Sequence, residues 1–519
     1  MNKYLIMAIV IVIGASIDSA RILAVFPTPS ISHQVVYRQL TQELVKHGHE
    51  VVVITTDPAY PSGEAPVNLT EIDVGTVSYH SLQKTYSDAD IGKRNDIHIQ
   101  VKSLSKLLGI IVDNQLQTKP VLDIVKNKNN ITFDLLLLEM CVRTALAFSH
   151  VYKAPVILIS SYGSFFGINA KVGIPSNSLL YPVVPRQRLY NLTIWEKIKE
   201  MLSFTYTMHI YNSFEHEDNE ILKKYFGTSI PPLSELYNNV HMFFQNIHPI
   251  FADNTPVPPN VIYMSGLHQK PKKELPQDLS FYLNNSKNDV IYVSFGTNVK
   301  TSLLPPERVQ MMVKVFSNLP YDVLWKMDTE ELAGISENIK ISEWLPQADL
   351  LKHPKIKAFI MQGGQQSTDE AITAGVPLIG IPMFGDQSFN VEKYVRNKIG
   401  IKLDWDSLTE EEFRIGILSV IEDTSYRKNV RKLRKIINDQ QQSSLERAIL
   451  WTEYVLRHGG AKHLRAPAAN MSWTEYYELE FVIILIFGLI IAMLSLLSVF
   501  YFIWLRISKI YKKNKFKRS

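Results

Sequence analysis

The sequence predicts an α/β protein: two domains built on parallel sheets, then one membrane-spanning helix. Three observations predict it. Short apolar runs alternate with helical patterns in two separate halves of the chain. A proline-rich stretch, Thr255-Pro-Val-Pro-Pro259, and a polar one, Lys270–Asn288, divide those halves, so residues 255–288 read as a linker. Near the end, Phe481 to Leu505 is uncharged and almost wholly apolar. At 519 residues, 46% hydrophobic and 20% charged, the chain has the balance of a folded protein of more than one globular unit.

The N-terminus reads Met1-Asn2-Lys3, an apolar run from Tyr4 to Ile13, and small residues up to Ala20. That is the charged, apolar and cleavage pattern of a signal peptide over residues 1–20. An uncleaved signal anchor is the alternative. Cleavage is favoured because a strand-like run, Arg21-Ile-Leu-Ala-Val-Phe26, begins immediately afterwards.

The first domain is assigned to residues 21–254. Ile22–Phe26 reads as a buried strand, about His33 to Lys46 as a helix stopped by Gly48, and Glu50–Thr55 as the next strand, a β-α-β unit. Phe133–Leu138 and Val156–Ser160 add strands. In the second domain, residues 289–460, strands recur at Val290–Ser294, Asp322–Lys326, Ile356–Met361 and Pro377–Ile381, and Ser425–Arg457 reads as a long charged helix. Ligands of such sheets bind beyond the carboxyl ends of the strands, so each domain offers one wall of a cleft. Neither G-x-G-x-x-G nor G-x-x-x-x-G-K-[ST] occurs, which excludes the common dinucleotide and NTP fingerprints.

Residues 481–505 are long enough for the roughly 30 Å hydrocarbon layer. Trp473, Tyr476 and Tyr477 precede the segment and Tyr501 and Trp504 close it, as interfacial aromatics do. The tail, 506–519, carries Arg506, Lys509, Lys512, Lys513, Lys515, Lys517 and Arg518. Positive charge stays cytosolic, so the body is expected on the lumenal side, a single-pass type I arrangement. Lys515 and Lys517 resemble a dilysine endoplasmic reticulum retrieval signal, with a plain stop-transfer cluster as the alternative. Without the tail, the net charge of +5 falls to near neutral, which argues against nucleic-acid binding. Five glycosylation sequons, at Asn68, Asn130, Asn191, Asn284 and Asn470, all precede the span. Cys141 is the only cysteine, so no disulfide forms within the chain. It reads as a small buried hydrophobe and not as a nucleophile.

The most informative stretch begins at Glu343-Trp344-Leu-Pro-Gln347. It continues through Phe359-Ile-Met-Gln362-Gly363-Gly364-Gln365-Gln366-Ser367-Thr-Asp-Glu370 to Gly375-Val-Pro377 and Pro382-Met-Phe-Gly-Asp386-Gln387. An apolar strand ends at Met361, and two glycines allow close approach of a ligand. Ser367 with Glu370 reads as a capping box opening a helix, whose N-terminus suits a diphosphate.

This run closely resembles the signature of the UDP-glycosyltransferase family, and the resemblance covers essentially the whole chain. It implies the GT-B fold, inverting transfer from a UDP-sugar, and no cofactor beyond that co-substrate. It assigns Trp344 to stacking on uracil, Gln347 to the base, and Glu370 to the ribose hydroxyls. Gln366 stands where the family places a phosphate-binding Asn. Asp386 and Gln387 are assigned to the sugar hydroxyls, and Ser294 and Thr297 to the diphosphate, with Gln362, Gly363, Gly364 and Ser367 completing that wall. Where vertebrate relatives have His-Gly-Gly, this chain has Gln362-Gly363-Gly364. The Gln form is similar to insect members, which favours UDP-glucose over UDP-glucuronate.

Across the cleft, His33 follows the first strand and matches the family's catalytic histidine, a group suited to deprotonating a hydroxyl. Its orienting carboxylate is expected at Glu139, where the family often has Asp. Asp134 is the alternative. The aromatic stretch Tyr162, Phe165, Phe166, Tyr181, Tyr190 and Phe204 suits a small lipophilic acceptor: phenolic, plant toxin, pigment or steroid. A metal route would draw on Asp88-Ala-Asp90, Asp404-Trp-Asp406 or His47-Gly-His49, but none has a further ligand cluster, so no metal is expected. The expected partners are a UDP-sugar, the acceptor and the membrane, with a homo-oligomer as a further option. Rival readings are a non-catalytic membrane-anchored binding protein and glucuronosyl or lipid transfer.

Overall fold

The structure is a computed structural model that describes residues 19–88, 96–127, 130–165, 167–182, 184, 186, 188, 190–297, 299, 304–328 and 332–516. Residues 1–18 of the expected signal peptide, Asp90, Phe166 and the last three residues of the basic tail lie outside the described residues. The chain forms two units, Met1–Pro467 and Ala468–Ser519.

Two parallel sheets organise the larger unit. The first has seven strands in the order β3-β2-β1-β4-β5-β6-β7. These are β1 Arg21–Phe26, β2 Glu50–Thr55, β3 Leu69–Asp73, β4 Leu135–Glu139, β5 Val156–Ser160, β6 Val240–Gln245 and β7 Val261–Tyr263. The second has six, in the order β10-β9-β8-β11-β12-β13. They are β8 Val290–Ser294, β9 Asp322–Lys326, β10 Ile339–Ser342, β11 Ile356–Met361, β12 Leu378–Gly380 and β13 Gly400–Lys402. Every residue of β4, β5, β6, β8 and β12 is buried. That is why these strands read as continuous apolar runs, since helices cover both faces of such sheets. In both sheets the strand order reverses beside the earliest strand, β1 or β8, so crevices open at the carboxyl ends of β1/β4 and β8/β11.

Beyond shifts of one or two residues at the ends of β1, β4 and β12, three features differ from the sequence reading. The stretch 255–288 contains β7, which pairs with β6 as the edge of the first sheet. It also contains a helix, Gln277–Asn285, whose Leu279 and Leu283 join the core of the second sheet. A three-residue strand is too short to show periodicity. Glu139 is the last residue of β4 and not the first residue after it. The expected long helix Ser425–Arg457 is two helices, Thr424–Asn438 and Ser444–Arg457, the second opened by a Ser443/Glu446 capping box. That second helix returns to the first sheet: Ala448, Ile449 and Val455 pack with Ile22, Val36 and Leu40, and Glu453 Oε1 lies 2.8 Å from His47 Nδ1.

A buried ion cluster ties the sheets together. Asp253, in the segment after β6, meets Lys393 Nζ at 3.3 Å and Arg396 Nη1 at 2.5 Å, and accepts a 2.6 Å bond from Tyr190 Oη. Lys393 is fully buried, and burial pulls its ammonium down to about 7 despite Asp253. Asp253→Asn keeps the shape but leaves Lys393 without its counter-charge. It should cost about 3–5 kcal/mol where Lys393 is charged. Above pH 7 the lysine sheds its proton, so denaturant titrations should show a larger loss at pH 6 than at pH 8.5.

The smaller unit holds the helix Leu479–Phe516, of which Leu479–Asn514 is long and apolar enough to cross a membrane.

Candidate active site

The loop after β1 and the helix Ile31–Lys46 present His33 at the carboxyl end of the first sheet. Its Nδ1 lies 2.8 Å from Glu139 Oε1, at the end of the neighbouring strand β4. The Glu139 side chain is fully buried and held by three groups. Besides His33, Tyr37 Oη donates to the same oxygen at 3.2 Å, and the Thr28 backbone N–H donates to Oε2 at 3.1 Å. These anchors fix the extra methylene that Glu has over Asp. Asp134 sits at the opposite end of the strand and accepts from the Arg21 N–H at 2.7 Å, so it does not reach His33. Tyr37 was not singled out in the sequence, although it lies one helical turn beyond His33 on the same face. Burial, then Glu139 and Cys141, push its phenol well up, so it stays a donor.

Tyr162 stacks edge-on to His33 at 5.8 Å, and its hydroxyl lies 3.0 Å from Cys141 Sγ. Cys141 is half-buried, and burial followed by Glu139 pushes its thiol up, away from thiolate chemistry. The other aromatics have different work. Tyr190 binds Asp253 and lies under Arg396 at 4.4 Å. Phe204 packs with Val101 and Tyr211, and Phe165 meets Tyr211 at 6.2 Å.

Opposite stands the wall built on β8, β9 and β11. The helix after β11 spans Gln365–Ala374 and is capped by Gly364 in extended conformation, without a side-chain cap. The expected Ser367/Glu370 capping box is therefore absent, because both side chains are used elsewhere. Gln347 Nε2 donates to Ser367 Oγ at 2.8 Å and to Glu370 Oε2 at 2.7 Å, while Gln347 Oε1 accepts from Tyr292 Oη at 3.0 Å. Burial raises Glu370 to about 7, against the pull of Gln347 and Lys352.

Trp344 is 67% exposed, a bare ring beside this network, with Lys326 Nζ 5.0 Å from its centroid. Lys326, also unforeseen, donates to the Gly296 carbonyl at 3.0 Å and so links the β8 and β9 turns. In the β8 turn, Ser294 Oγ accepts from Gly296 N–H at 3.3 Å, and Thr297 is exposed. Gly296 has φ +78°, and a Cβ there would lie 2.4 Å from Gln362 Nε2, so the Gln362 amide packs into that turn. Gly363 serves packing more than ligand approach: at φ +101° its Cβ would strike Val391 Cγ2 at 2.5 Å and the Gln387 carbonyl at 2.9 Å. Gly364 has open space beside it, with nothing nearer than Gln362 Nε2 at 3.7 Å.

Asp386 and Gln387 open the helix that ends at Arg396. Burial raises the Asp386 carboxyl, opposed by Asn390, by the backbone at Asp386 and Gln365, and by the nearby His33. Gln387 is buried, and its Oε1 accepts from the Met383 and Phe384 N–H groups. The walls touch directly. Gln366 Nε2 donates to the Ser161 carbonyl beyond β5 at 2.9 Å, and Gly385 N–H donates to Gln100 Oε1 at 3.2 Å. Of the motifs a metal route would draw on, Asp404 Oδ1 caps its own turn through Asp406 N–H, and His47 pairs with Glu453.

The family described as UDP-glucoronosyl and UDP-glucosyl transferase matches residues 21–515. An ecdysteroid UDP-glucosyltransferase of Spodoptera littoralis nuclear polyhedrosis virus is 32% identical over 499 residues, covering 93% of this chain and 96% of the relative. UDP-glucosyltransferase 2 of Dactylopius coccus is 30% identical, covering 93% of each chain. Among solved structures, a UDP-glucosyltransferase from Polygonum tinctorium aligns with a TM-score of 0.58 at 15% identity, over 85% of this chain and 99% of that one. Spinosyn forosaminyltransferase aligns with a TM-score of 0.58 at 17% identity, over 84% of this chain and 99% of that one. The architecture is GT-B, the co-substrate is a UDP-sugar, and the chain belongs to the UDP-glucuronosyl and UDP-glucosyl transferase family of enzymes.

Proposed function

We propose that the enzyme transfers glucose from UDP-glucose, with inversion, to a hydroxyl of a small lipophilic acceptor, in a conjugating or detoxifying role. The observation that carries this reading is the His33 Nδ1–Glu139 Oε1 pair at 2.8 Å, set opposite the nucleotide wall. Glu139 holds the Nδ1 proton, which leaves Nε2 as the base. The acceptor oxygen gives its proton to Nε2 and attacks the anomeric carbon. The bond from that carbon to the diphosphate breaks on the far face, and its electron pair leaves with UDP. N–H groups at the head of the Gln365–Ala374 helix beyond that of Gln365, which faces Asp386, stabilise the departing charge together with Ser294, Thr297 and Gln366.

In this reading Trp344 stacks on uracil, Gln347 contacts the base, Glu370 takes the ribose hydroxyls, and Asp386 and Gln387 grip the sugar. The uncharged Gln362 and the names of the viral and insect relatives support glucose and a steroid-like acceptor. We place the body in the endoplasmic reticulum lumen, anchored through Leu479–Asn514. Asn68, Asn130, Asn191 and Asn284 are exposed, which suits glycosylation, while Asn470 is half-buried.

The test is turnover of the purified full chain with UDP-glucose, UDP-glucuronate and other UDP-sugars against phenols and steroids. The largest rate is expected with UDP-glucose, and proton NMR should show a β-glucoside. A chain that binds no UDP by titration calorimetry would sink the reading.

The site also predicts a pH dependence. Folding raises Glu370 to about 7 and Asp369 to about 8, both mainly by burial. At these two groups the donor-free folded state therefore holds protons that the unfolded chain has lost, and their contribution to stability falls as pH rises from about 4 through 8. Ribose hydroxyls favour ionised Glu370, so UDP should bind more tightly above pH 7. The gap in melting temperature between free and UDP-bound protein, measured at pH 5.5, 7 and 8.5, should therefore widen as pH rises, and Glu370→Gln should remove that widening.

A further inference from the structure

We infer that His268 is the positioning residue of the nucleotide wall, a ring that holds the Glu370 carboxylate in place for the ribose hydroxyls. This rests on the reading of Glu370 given above. His268 lies in the segment that passes from β7 to the Gln277–Asn285 helix, and both of its neighbours are tied down. Leu267 N–H donates to Asn246 Oδ1 beyond β6 at 3.0 Å. Gln269 exchanges hydrogen bonds with Thr373 at 2.9 and 3.0 Å, on the same helix that carries Glu370. The backbone therefore drives the imidazole into the protein, where its side chain is 3% exposed.

By hydrogen-bond geometry neither ring nitrogen has a partner among the described residues, although the Gln366 backbone lies close enough to favour the protonated ring, and Nε2 lies 3.8 Å from Glu370 Oε1. Buried polar side chains are almost always satisfied, so an orphan ring aimed at a carboxylate marks an arrangement completed by a ligand. The carboxylate is half engaged: Oε2 takes the Gln347 amide, and Oε1 faces the ring. The other charged groups around it are Asp349 and Lys352 on the near turn and Asp369 beside it. Burial outweighs the pull of the Gln366 backbone and keeps the ring neutral, with a single N–H that an ionised Glu370 can draw to itself. When a ribose diol donates to Glu370, the ionised carboxylate needs only a small rotation to bring Oε1 from 3.8 Å to hydrogen-bond distance from that N–H. His268 never touches the sugar in this scheme. It acts through Glu370.

The test uses the full chain in detergent with UDP and 2′,3′-dideoxy-UDP as probes. His268→Phe should weaken UDP binding roughly tenfold, the effect typical of losing an outer support of a ligand-binding group. KM for the UDP-sugar should rise in step and kcat should hold. The preference for UDP over the dideoxy probe should shrink, a change that a general packing defect would not cause. His268→Gln, which keeps an N–H donor, should restore most of the preference. In a Glu370→Ala background, His268→Phe should add nothing. Should His268→Phe fail to fold, His268→Asn, whose amide falls short of Glu370, carries the same expectation. The inference is overturned if these variants keep the wild-type preference, or if the penalty persists undiminished without Glu370. Absence of UDP binding by the wild type would instead count against the functional reading.

Discussion

His33→Ala is expected to lower kcat by about two to four orders of magnitude, the usual contribution of a positioned general base, while UDP affinity stays at the wild-type level. The separation follows from the geometry: His33 belongs to the first sheet, and every residue assigned to the nucleotide belongs to the second. Glu139→Gln makes a sharper test, because the surroundings dictate how the new amide must sit. The Thr28 N–H donates to Oε2, so an oxygen has to stay there. The NH2 group then falls at the Oε1 position, 2.8 Å from His33 Nδ1, and the Tyr37 hydroxyl, which can rotate as the Thr28 N–H cannot, turns its proton away. An amide donor there turns Nδ1 into an acceptor and moves the ring proton to Nε2, the atom that must accept the acceptor's proton. In a serine-protease triad the corresponding acid-to-amide change costs about 10^4-fold in kcat. Glu139→Gln should therefore approach the loss seen with His33→Ala, although the pair remains hydrogen-bonded. Turnover of UDP-glucose with a good acceptor, beside a UDP titration, checks both variants. Full activity in Glu139→Gln would mean that Glu139 does not set the tautomer. An unimpaired His33→Ala would leave a carrier protein as the better reading.

How far the sequence made this site legible depends on the range of the forces involved. The strands were readable because burial on both faces imposes an apolar run that needs no partner to be recognised. β2, β5, β8, β9 and β11 begin and end where those runs do. Tyr37 was within reach too, since helical spacing alone puts it on the face of His33. The Gln365–Ala374 helix was misjudged at its start for a local reason. Ser-x-x-Glu is a common opening signal, but Gln365 and Gln366 are good helix formers, and Gln347 captures both Ser367 and Glu370 from another loop. His268, Lys326 and the Gln366–Ser161 bond were invisible for a different reason. Each depends on a partner tens to hundreds of residues away, so no local pattern marks it. Resemblance to a family supplied the roles of the nucleotide wall. The groups that support those roles had to come from the fold.

Two adjacent glycines offer the second large effect, with opposite outcomes. Val391, fully buried on the helix that starts at Gln387, sits in a slot formed by Gly363 and Gly380. Gly363→Ala would place a methyl 2.5 Å from Val391 Cγ2 and 2.9 Å from the backbone oxygen of Gln387, which is not the end of a flexible side chain. It would also force an L-residue to φ +101°. Strained backbone and overpacking each cost about 1–3 kcal/mol, so the variant should lose about 2–6 kcal/mol, a large part of a domain's stability. Gly364→Ala is another matter. Gly364 is extended, with φ −64° and ψ 144°, and a methyl there meets nothing closer than 3.7 Å. Its stability cost is confined to the poorer helix cap, about 1 kcal/mol. The added methyl stands where the diphosphate is proposed to approach the helix head, so UDP binding should fall while the melting temperature barely moves. Thermal melts paired with UDP titrations separate the two positions. A Gly363→Ala protein that melts like wild type would show that the Val391 slot has room to yield. A Gly364→Ala protein that binds UDP normally would place the phosphates elsewhere on the wall.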